Sequence, residues 1–209
     1  FKRQWCPVVD AVPANMDIVR YWDLAATEKT ESNDPDWTVG IKMGRCRATK
    51  QYFVLHAIMM RNSPGVVKKS LYNTASADGI TTRIGIPQDP GQAGKSQAQD
   101  FVQYLSGFTV TARREQGDKV VRFSPFSAQC EAGNVSFLRG HWNEDVFTAL
   151  EAFPTAKAHD DVPDGCSGAF AMLNEGNLGL LDYYRQEAVN VEIKNAQTST
   201  GGANLMGWS

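Results

Sequence analysis

The sequence predicts an α/β fold, built on a mixed central sheet with helices on both faces. Three runs rich in β-branched and aromatic residues come first along the chain, and helical and strand patterns alternate after them. Strands joined by short turns pair antiparallel, whereas strands separated by a helix can pair in parallel. This order favours three antiparallel strands followed by parallel strands, with helices packed on either side.

The opening strands follow residues 1–15, which contain two prolines and no clear period and which we interpret as an arm or linker. The predicted strands are Ile18–Ala26, Trp37–Cys46 and Gln51–Ile58. The short polar segment Gly44–Lys50 would turn the second strand into the third as an antiparallel hairpin.

The alternating part begins with Ser63-Pro64, a pair typical of a helix start. The predicted elements from there on are helix 63–77, strand 81–86, helix 94–105, strand 108–112, helix 124–131, strand 135–138, helix 144–153 and helix 161–174. Residues 195–209 begin with a polar, low-complexity run, so we expect a flexible tail there. The folded domain is therefore predicted over residues 16–194.

The composition is typical of a globular domain, with 42% hydrophobic and 21% charged residues. No run approaches the ~18 apolar residues of a membrane span, so we expect no membrane partner. The four cysteines are far apart and form no C-x-x-C pair, which favours free thiols over disulfides or a zinc site. A net charge of −2 argues mildly against a dedicated nucleic-acid binder, although an acidic metal site would itself lower the charge.

Carboxylates recur where predicted elements begin or end. Asp23 lies within an apolar strand, Asp89 follows the strand 81–86, and Asp160, Asp161 and Asp164 open the last helix. A buried carboxylate is costly unless a cation or a hydrogen-bond donor compensates it. One divalent metal centre would compensate all of them, because Mg²⁺ takes hard oxygen ligands and keeps positions for water and phosphate. The pattern therefore predicts phosphoryl chemistry on a nucleic-acid backbone.

Asp23, Asp89 and Asp161 are the predicted catalytic ligands, and each position also has a structural explanation. Asp23 could cap a turn, and Asp89 precedes Pro90-Gly91, a turn signal in which aspartate is common.

The acids of the last helix cannot all be ligands. Asp161 is the preferred one, Asp164 either a second ligand or a support, and Asp160 the remaining candidate. His159 is expected to orient a water or a phosphate, because Mg²⁺ disfavours imidazole.

Candidate DNA contacts come from two basic segments. Gly91–Ser96 resembles part of a phosphate-binding P-loop, but Asp89 stands where that motif needs glycine. We therefore expect Lys95 and the helix start to contact DNA phosphate rather than ATP. The second segment carries Arg113, Arg114, Lys119 and Arg122 around a predicted hairpin, which could contact DNA or be an ordinary solvated turn.

Three motifs carry a resemblance to a known family. They are Tyr21–Ala25 with Asp36-Trp37-Thr38, the segment Phe123–Val135, and Phe153-Pro154 with His159–Gly165. The strand order resembles the ribonuclease H-like fold. The motifs resemble the nuclease domain, the C-terminal half, of tailed-phage terminase large subunits, the DNA-packaging motor proteins. The resemblance covers about residues 18–173. It departs from the family at Gly165, where alanine is usual, and at Asp89, where some members have glutamate.

The resemblance implies an endonuclease that cleaves double-stranded DNA with two Mg²⁺ or Mn²⁺ ions. Asp23 would bridge both ions, Asp89 and Asp161 would each complete one, and Asp36 and His159 would support the ligands. The implied partners are the terminase ATPase domain, the small terminase subunit and the portal protein, in the cytoplasm of a bacterial host. Two alternatives remain: a Holliday-junction-resolvase or transposase-like nuclease, and a non-catalytic docking module of the motor.

Overall fold

The computed structural model describes residues 1–25, 37–114, 117–155 and 159–175, and within these ranges seven strands form one sheet. The strands are β1 (Val8–Val9), β2 (Met16–Asp23), β3 (Thr38–Cys46), β4 (Tyr52–Met60), β5 (Arg83–Pro87), β6 (Val110–Arg113) and β7 (Val135–Leu138). The helices are α1 (Pro64–Asp78), α2 (Gln92–Tyr104), α3 (Lys119–Glu131), α4 (Asn143–Ala152) and α5 (Asp161–Leu173), after a short 3₁₀ turn at Arg3–Trp5.

The sheet runs in the order β1-β7-β4-β3-β2-β5-β6. The β2–β3 and β3–β4 pairs are antiparallel, and the remaining neighbours pair in parallel. The predicted mixed sheet, three antiparallel strands continued by parallel ones, is therefore confirmed. Because β4, β5, β6 and β7 all run in the direction of β2, their carboxyl ends meet at one edge, which we call the acid edge.

Each face of the sheet carries its own hydrophobic core, as the alternation of side chains along a strand requires. Tyr21 points into the core under α3, α4 and α5, whereas its neighbour Trp22 points into the core under α1 and α2. Both side chains are almost fully buried. Helices therefore cover the sheet on both sides, as predicted.

A buried ion pair joins α1 to the sheet. Arg20 of β2 contacts Asp78, the last residue of α1, and also donates to the carbonyl of Gly40 at 3.0 Å. Lys42 of β3 reaches the same carboxylate at 2.9 Å. Burial alone would raise the pKa of Asp78, but hydrogen bonds from Arg20 and Lys42 outweigh it and lower the pKa.

Two features differ from the predictions. Residues 1–15, expected to be an arm or linker, contribute β1, which pairs with β7, and Cys6, which is buried. Helix α3 begins at Lys119 rather than 124, because Asp118 accepts hydrogen bonds from the backbone N–H groups of Val120 and Val121 as its N-cap. No helix in the described ranges is long and apolar enough to cross a membrane.

Candidate metal and DNA site

Asp23 is the last residue of β2 and lies, half-buried, at the acid edge. It pairs with Val39 near the start of β3. On its other side Tyr21 is level with Gly85 of β5, and continuing this register by two residues brings Asp23 level with Pro87. Asp89 follows two residues after Pro87, so both predicted acids belong to the acid edge.

Asp161 reaches the same edge from the first turn of α5. Its side chain is buried, and its Oδ2 accepts a hydrogen bond from the backbone N–H of Trp37 at 3.1 Å. Trp37 stands only two residues before Val39, the partner of Asp23. Two residues of extended chain span about 7 Å. Asp23 and Asp161 therefore both lie against the short segment Trp37–Val39 at the start of β3.

Glycines in α5 let this helix lie directly on the sheet. A Cβ atom on Gly168 would lie 2.3 Å from ring carbons of Tyr21, and one on Gly165 would lie 2.9 Å from Cγ1 of Ile41. Distances this short do not occur between real side chains, so only glycine at both positions allows the helix and the sheet to approach this closely. The close contact fixes how far the acids at the start of α5 stand from β2 and β3.

Asp160 and Asp164 both contact basic residues of α3. Lys119 contacts Asp160 at 2.7 Å and Asp164 at 3.1 Å, and Arg122 donates to Asp164 at 2.7 Å. Burial alone would lower the pKa of Lys119, but the hydrogen bonds to both carboxylates outweigh it and raise the pKa. Lys119 and Arg122, which were predicted to contact DNA, thus neutralise Asp160 and Asp164, which were predicted as additional metal ligands.

The turn that carries Asp89 is held by the start of α2. A Cβ atom on Gly94 would lie 2.4 Å from the backbone oxygen of Asp89, so the first turn of α2 contacts the backbone of the acid. Gly91 lies between Asp89 and Gly94 in the chain and adopts φ +96°, a conformation that favours glycine. Asp89 itself is exposed, and so is Lys95 in the same first turn.

The predicted basic hairpin is wrong, because β6 ends at Arg113 and α3 already begins at Lys119. Arg113 is half-buried at the acid edge, and burial lowers its pKa. Arg114 is exposed just beyond the strand. The four basic residues are therefore divided between a strand end and the first turns of a helix.

Two further residues stand at this edge: Arg61, which no sequence motif indicated, and Trp37, which belongs to one of the three motifs but had no assigned role. Arg61 directly follows β4, and its guanidinium carbon lies 4.3 Å from the ring centre of Trp37. Its Nη2 lies 2.8 Å from Nε2 of His159, whose Nδ1 is 3.9 Å from Oδ2 of Asp161. A cleft of about 600 Å³ opens beside Trp37, His159 and Asp161. The sequence signal for a shared role of these two residues was their position: Trp37 directly precedes β3, and Arg61 directly follows β4.

The donor chemistry fits a hard divalent cation, because Asp23, Asp89 and Asp161 offer carboxylate oxygens. Asp23 and Asp161 both lie against the start of β3, while Asp89 stands exposed on its turn. Among the described residues, no three His, Cys, Asp or Glu side chains are grouped closely enough to hold a metal ion. Asp36, predicted to support the ligands, lies outside the described residues.

A mixed sheet in this order, covered by helices on both faces, has the strand arrangement of the ribonuclease H-like fold. A family model described as the terminase RNaseH-like domain matches residues 20–173, and the chain belongs to that family. The resemblance of the sequence to a terminase domain with a ribonuclease H-like fold is thereby confirmed.

Solved structures share the fold at low sequence identity. The phage P22 large terminase nuclease domain is 11% identical, with a TM-score of 0.60 over 82% of this chain and 89% of that chain. The Mn-soaked, inhibitor-bound human cytomegalovirus terminase nuclease domain is 12% identical, with a TM-score of 0.58 over 77% and 85%. The zinc-bound large terminase nuclease from thermophilic phage G20c is 13% identical, with a TM-score of 0.53 over 80% and 94%. Comparison with curated protein sequences gives no match.

Proposed function

We propose that this chain is a metal-dependent endonuclease domain that cleaves double-stranded viral DNA during genome packaging. The observation that carries the proposal is the convergence of Asp23 and Asp161, from the central strand and from a buried helix, on the start of β3. Two neighbouring carboxylates repel each other when both are ionised. A divalent metal bound by both acids would remove that repulsion.

Asp23, Asp89 and Asp161 are the residues that would hold the metal, which we propose to be two Mg²⁺ or Mn²⁺ ions. When bound, such a pair supplies Lewis-acid chemistry, activating a water and stabilising the leaving oxygen of a phosphodiester. The Mn-soaked and zinc-bound terminase nucleases support a divalent ion in this family. The chain itself contributes ligands and their orientation, and no side-chain nucleophile is required.

Positive charge near the acid edge would receive the DNA backbone. Lys95, Arg113 and Arg114 lie at or just beyond the carboxyl ends of β5 and β6, beside the proposed ligands. Arg–phosphate and Lys–phosphate contacts position a duplex without reading its sequence. Lys119 and Arg122 are already paired with carboxylates, so we assign them mainly to holding α3 on α5 and only secondarily to DNA.

The remaining partners follow from the family. We propose that the terminase ATPase domain supplies most of the grip on DNA and that the small terminase subunit and the portal protein position the cut. The cell compartment would be the cytoplasm of the bacterial host. Binding by the nuclease domain alone should then be weak and steeply salt-dependent, because phosphate neutralisation dominates such binding.

Plasmid cleavage with Mn²⁺ tests the proposal. Wild-type protein should nick and linearise supercoiled plasmid, and chelation, Asp23→Asn or Asp161→Asn should abolish cutting while the fold survives. Asp17→Asn is the matched control, because Asp17 lies on the same strand at the opposite end and pairs with Arg47 on the surface. It should cut like wild type.

A four-way junction in the same assay separates the alternatives. Cutting confined to the junction would assign the chain to a resolvase-like class. No cutting of either substrate by folded, Mn²⁺-loaded protein would favour a docking module of the packaging motor and would contradict the proposed nuclease.

A further inference from the structure

Arg61 and Trp37 occupy adjacent positions beyond paired strand ends. Thr38 of β3 pairs with Met60 of β4, so the residue before Thr38 and the residue after Met60 meet at the acid edge. The guanidinium of Arg61 lies over the Trp37 ring, with its carbon 4.3 Å from the ring centre. A planar guanidinium stacks well on an indole, an arrangement that a flexible ammonium does not reproduce. The stack therefore holds the Arg61 donors in one orientation.

The contact between Arg61 and His159 defines a tautomer. A guanidinium carries only donors, so the 2.8 Å contact from Nη2 requires that Nε2 of His159 accept. The ring proton of the neutral imidazole then resides on Nδ1. That atom is the one turned towards Asp161, 3.9 Å from its Oδ2. The distance is too long for a direct hydrogen bond, so His159 is a neighbour of the carboxylate rather than its donor.

One residue of the stack holds an oxygen of Asp161 directly. The backbone N–H of Trp37 donates to Oδ2 at 3.1 Å, and Nδ1 of His159, the ring that contacts Arg61, lies 3.9 Å from the same oxygen. The hydrogen bond from Trp37 restricts the orientation of the carboxylate. Metal ligands are commonly oriented by such outer hydrogen-bond partners, and loss of a partner weakens metal affinity or activity ~10–100-fold.

We propose that Arg61 is a positioning residue that, stacked on Trp37 and in contact with His159, holds both residues beside Asp161 and thereby orients this carboxylate for a divalent cation. The proposal rests on the proposed function in assigning Asp161 to the metal. It gives Arg61 and His159 a role in ligand geometry rather than in contacting phosphate, and it predicts effects on metal binding in the absence of DNA.

The first test is the ring spectrum of His159 in the metal-free 209-residue chain. Long-range ¹H–¹⁵N correlations distinguish the tautomers, and His159→Gln assigns the signal against His56 and His141. The wild type should show protonated Nδ1 and unprotonated Nε2, and Arg61→Leu should lose that preference. A wild-type ring protonated at Nε2 overturns the proposal whatever the activity of the protein.

The second test is Mn²⁺ affinity measured by calorimetry without DNA. Arg61→Leu should raise the dissociation constant ~10–100-fold. Arg139→Leu is the matched control, because Arg139 also directly follows a strand at this edge but pairs with Asp10 on the surface. It should bind Mn²⁺ like wild type. Unchanged Mn²⁺ affinity in Arg61→Leu, with only a higher KM for DNA, would make Arg61 a phosphate contact and overturn its positioning role.

The two proposals fail in different ways. If wild type binds Mn²⁺, shows the expected tautomer and responds to Arg61→Leu but cuts no DNA, the nuclease function fails and the positioning role stands. If wild type cuts DNA but carries the other tautomer, the positioning role fails alone. A wild-type protein without measurable Mn²⁺ binding overturns both.

Discussion

Replacing Gly168 by alanine tests whether the close packing of α5 on the sheet places Asp161. The added Cβ would lie 2.3 Å from the ring of Tyr21, whereas ordinary contacts begin at about 3.4 Å, so about 1.1 Å of displacement is needed. Tyr21 is only 1% exposed, so its ring is enclosed by the hydrophobic core. Overpacking of this kind costs ~1–3 kcal/mol. For a chain of this length the melting temperature should fall by ~2–12 °C.

The same displacement should reach the acid edge, because Asp161 stands two turns earlier on α5. A misplacement of ~1 Å in a catalytic group can reduce the rate ~100-fold. Thermal melting and Mn²⁺-dependent plasmid cleavage measure the two effects on one sample. Gly65→Ala is the control, because a Cβ at that helical glycine meets nothing within 4 Å. It should cut like wild type and be equally stable or more stable by up to ~1 kcal/mol.

Two outcomes would refute this reasoning. A Gly168→Ala protein that melts and cuts like wild type would mean that Tyr21 yields without cost. A protein that is destabilised but cuts at the wild-type rate would mean that α5 absorbs the strain without moving Asp161.

Three further predictions concern metal and charge. Mn²⁺ at a hundredfold excess over its Kd should stabilise the folded protein by ~2.7 kcal/mol, and an equal thermal shift in Asp23→Asn would place the metal elsewhere. Asp78→Asn should destabilise the fold by ~3–5 kcal/mol, because it leaves Arg20 buried without its carboxylate; chemical denaturation measures this loss, and a loss below ~1 kcal/mol would contradict a strongly coupled pair. The pKa of Asp78 is lowered in the folded state, so its contribution is present above the unfolded pKa and disappears as pH falls through the folded value. The stability gap between wild type and Asp78→Asn should therefore narrow as pH falls below the unfolded pKa of about 3.9, and a gap that stays constant throughout the acid range would refute the assignment.

The order of elements could be predicted because periodicity and turn chemistry are local. The strands around Tyr21 and Phe137 and the helices after Ser63 and Asp160 appear where their patterns indicated. Bounds were shifted by one to several residues at most ends. The largest shift is in α3, whose start depends on the capping contact of Asp118 with backbone N–H groups, and such a contact leaves only a weak trace in composition.

The site could be predicted less completely, because its contacts join residues far apart in the chain. The pairing of Arg122 with Asp164 spans 42 positions, and that of Arg61 with His159 spans 98. No local pattern shows which cation meets which acid. Asp23 and Asp161 could be chosen as candidates because a carboxylate at the end of a buried element is costly. Arg61 could not, because its position beside Trp37 depends on how β3 pairs with β4.

The contact between Gly94 and the backbone of Asp89 links the third acid mechanically to helix α2. Asp23 belongs to the central strand and Asp161 to a helix that packs directly on the sheet, whereas Asp89 lies on a turn held by the first turn of α2. A side chain at position 94 would therefore displace Asp89 relative to the other two acids, because its Cβ would lie 2.4 Å from the backbone oxygen of Asp89.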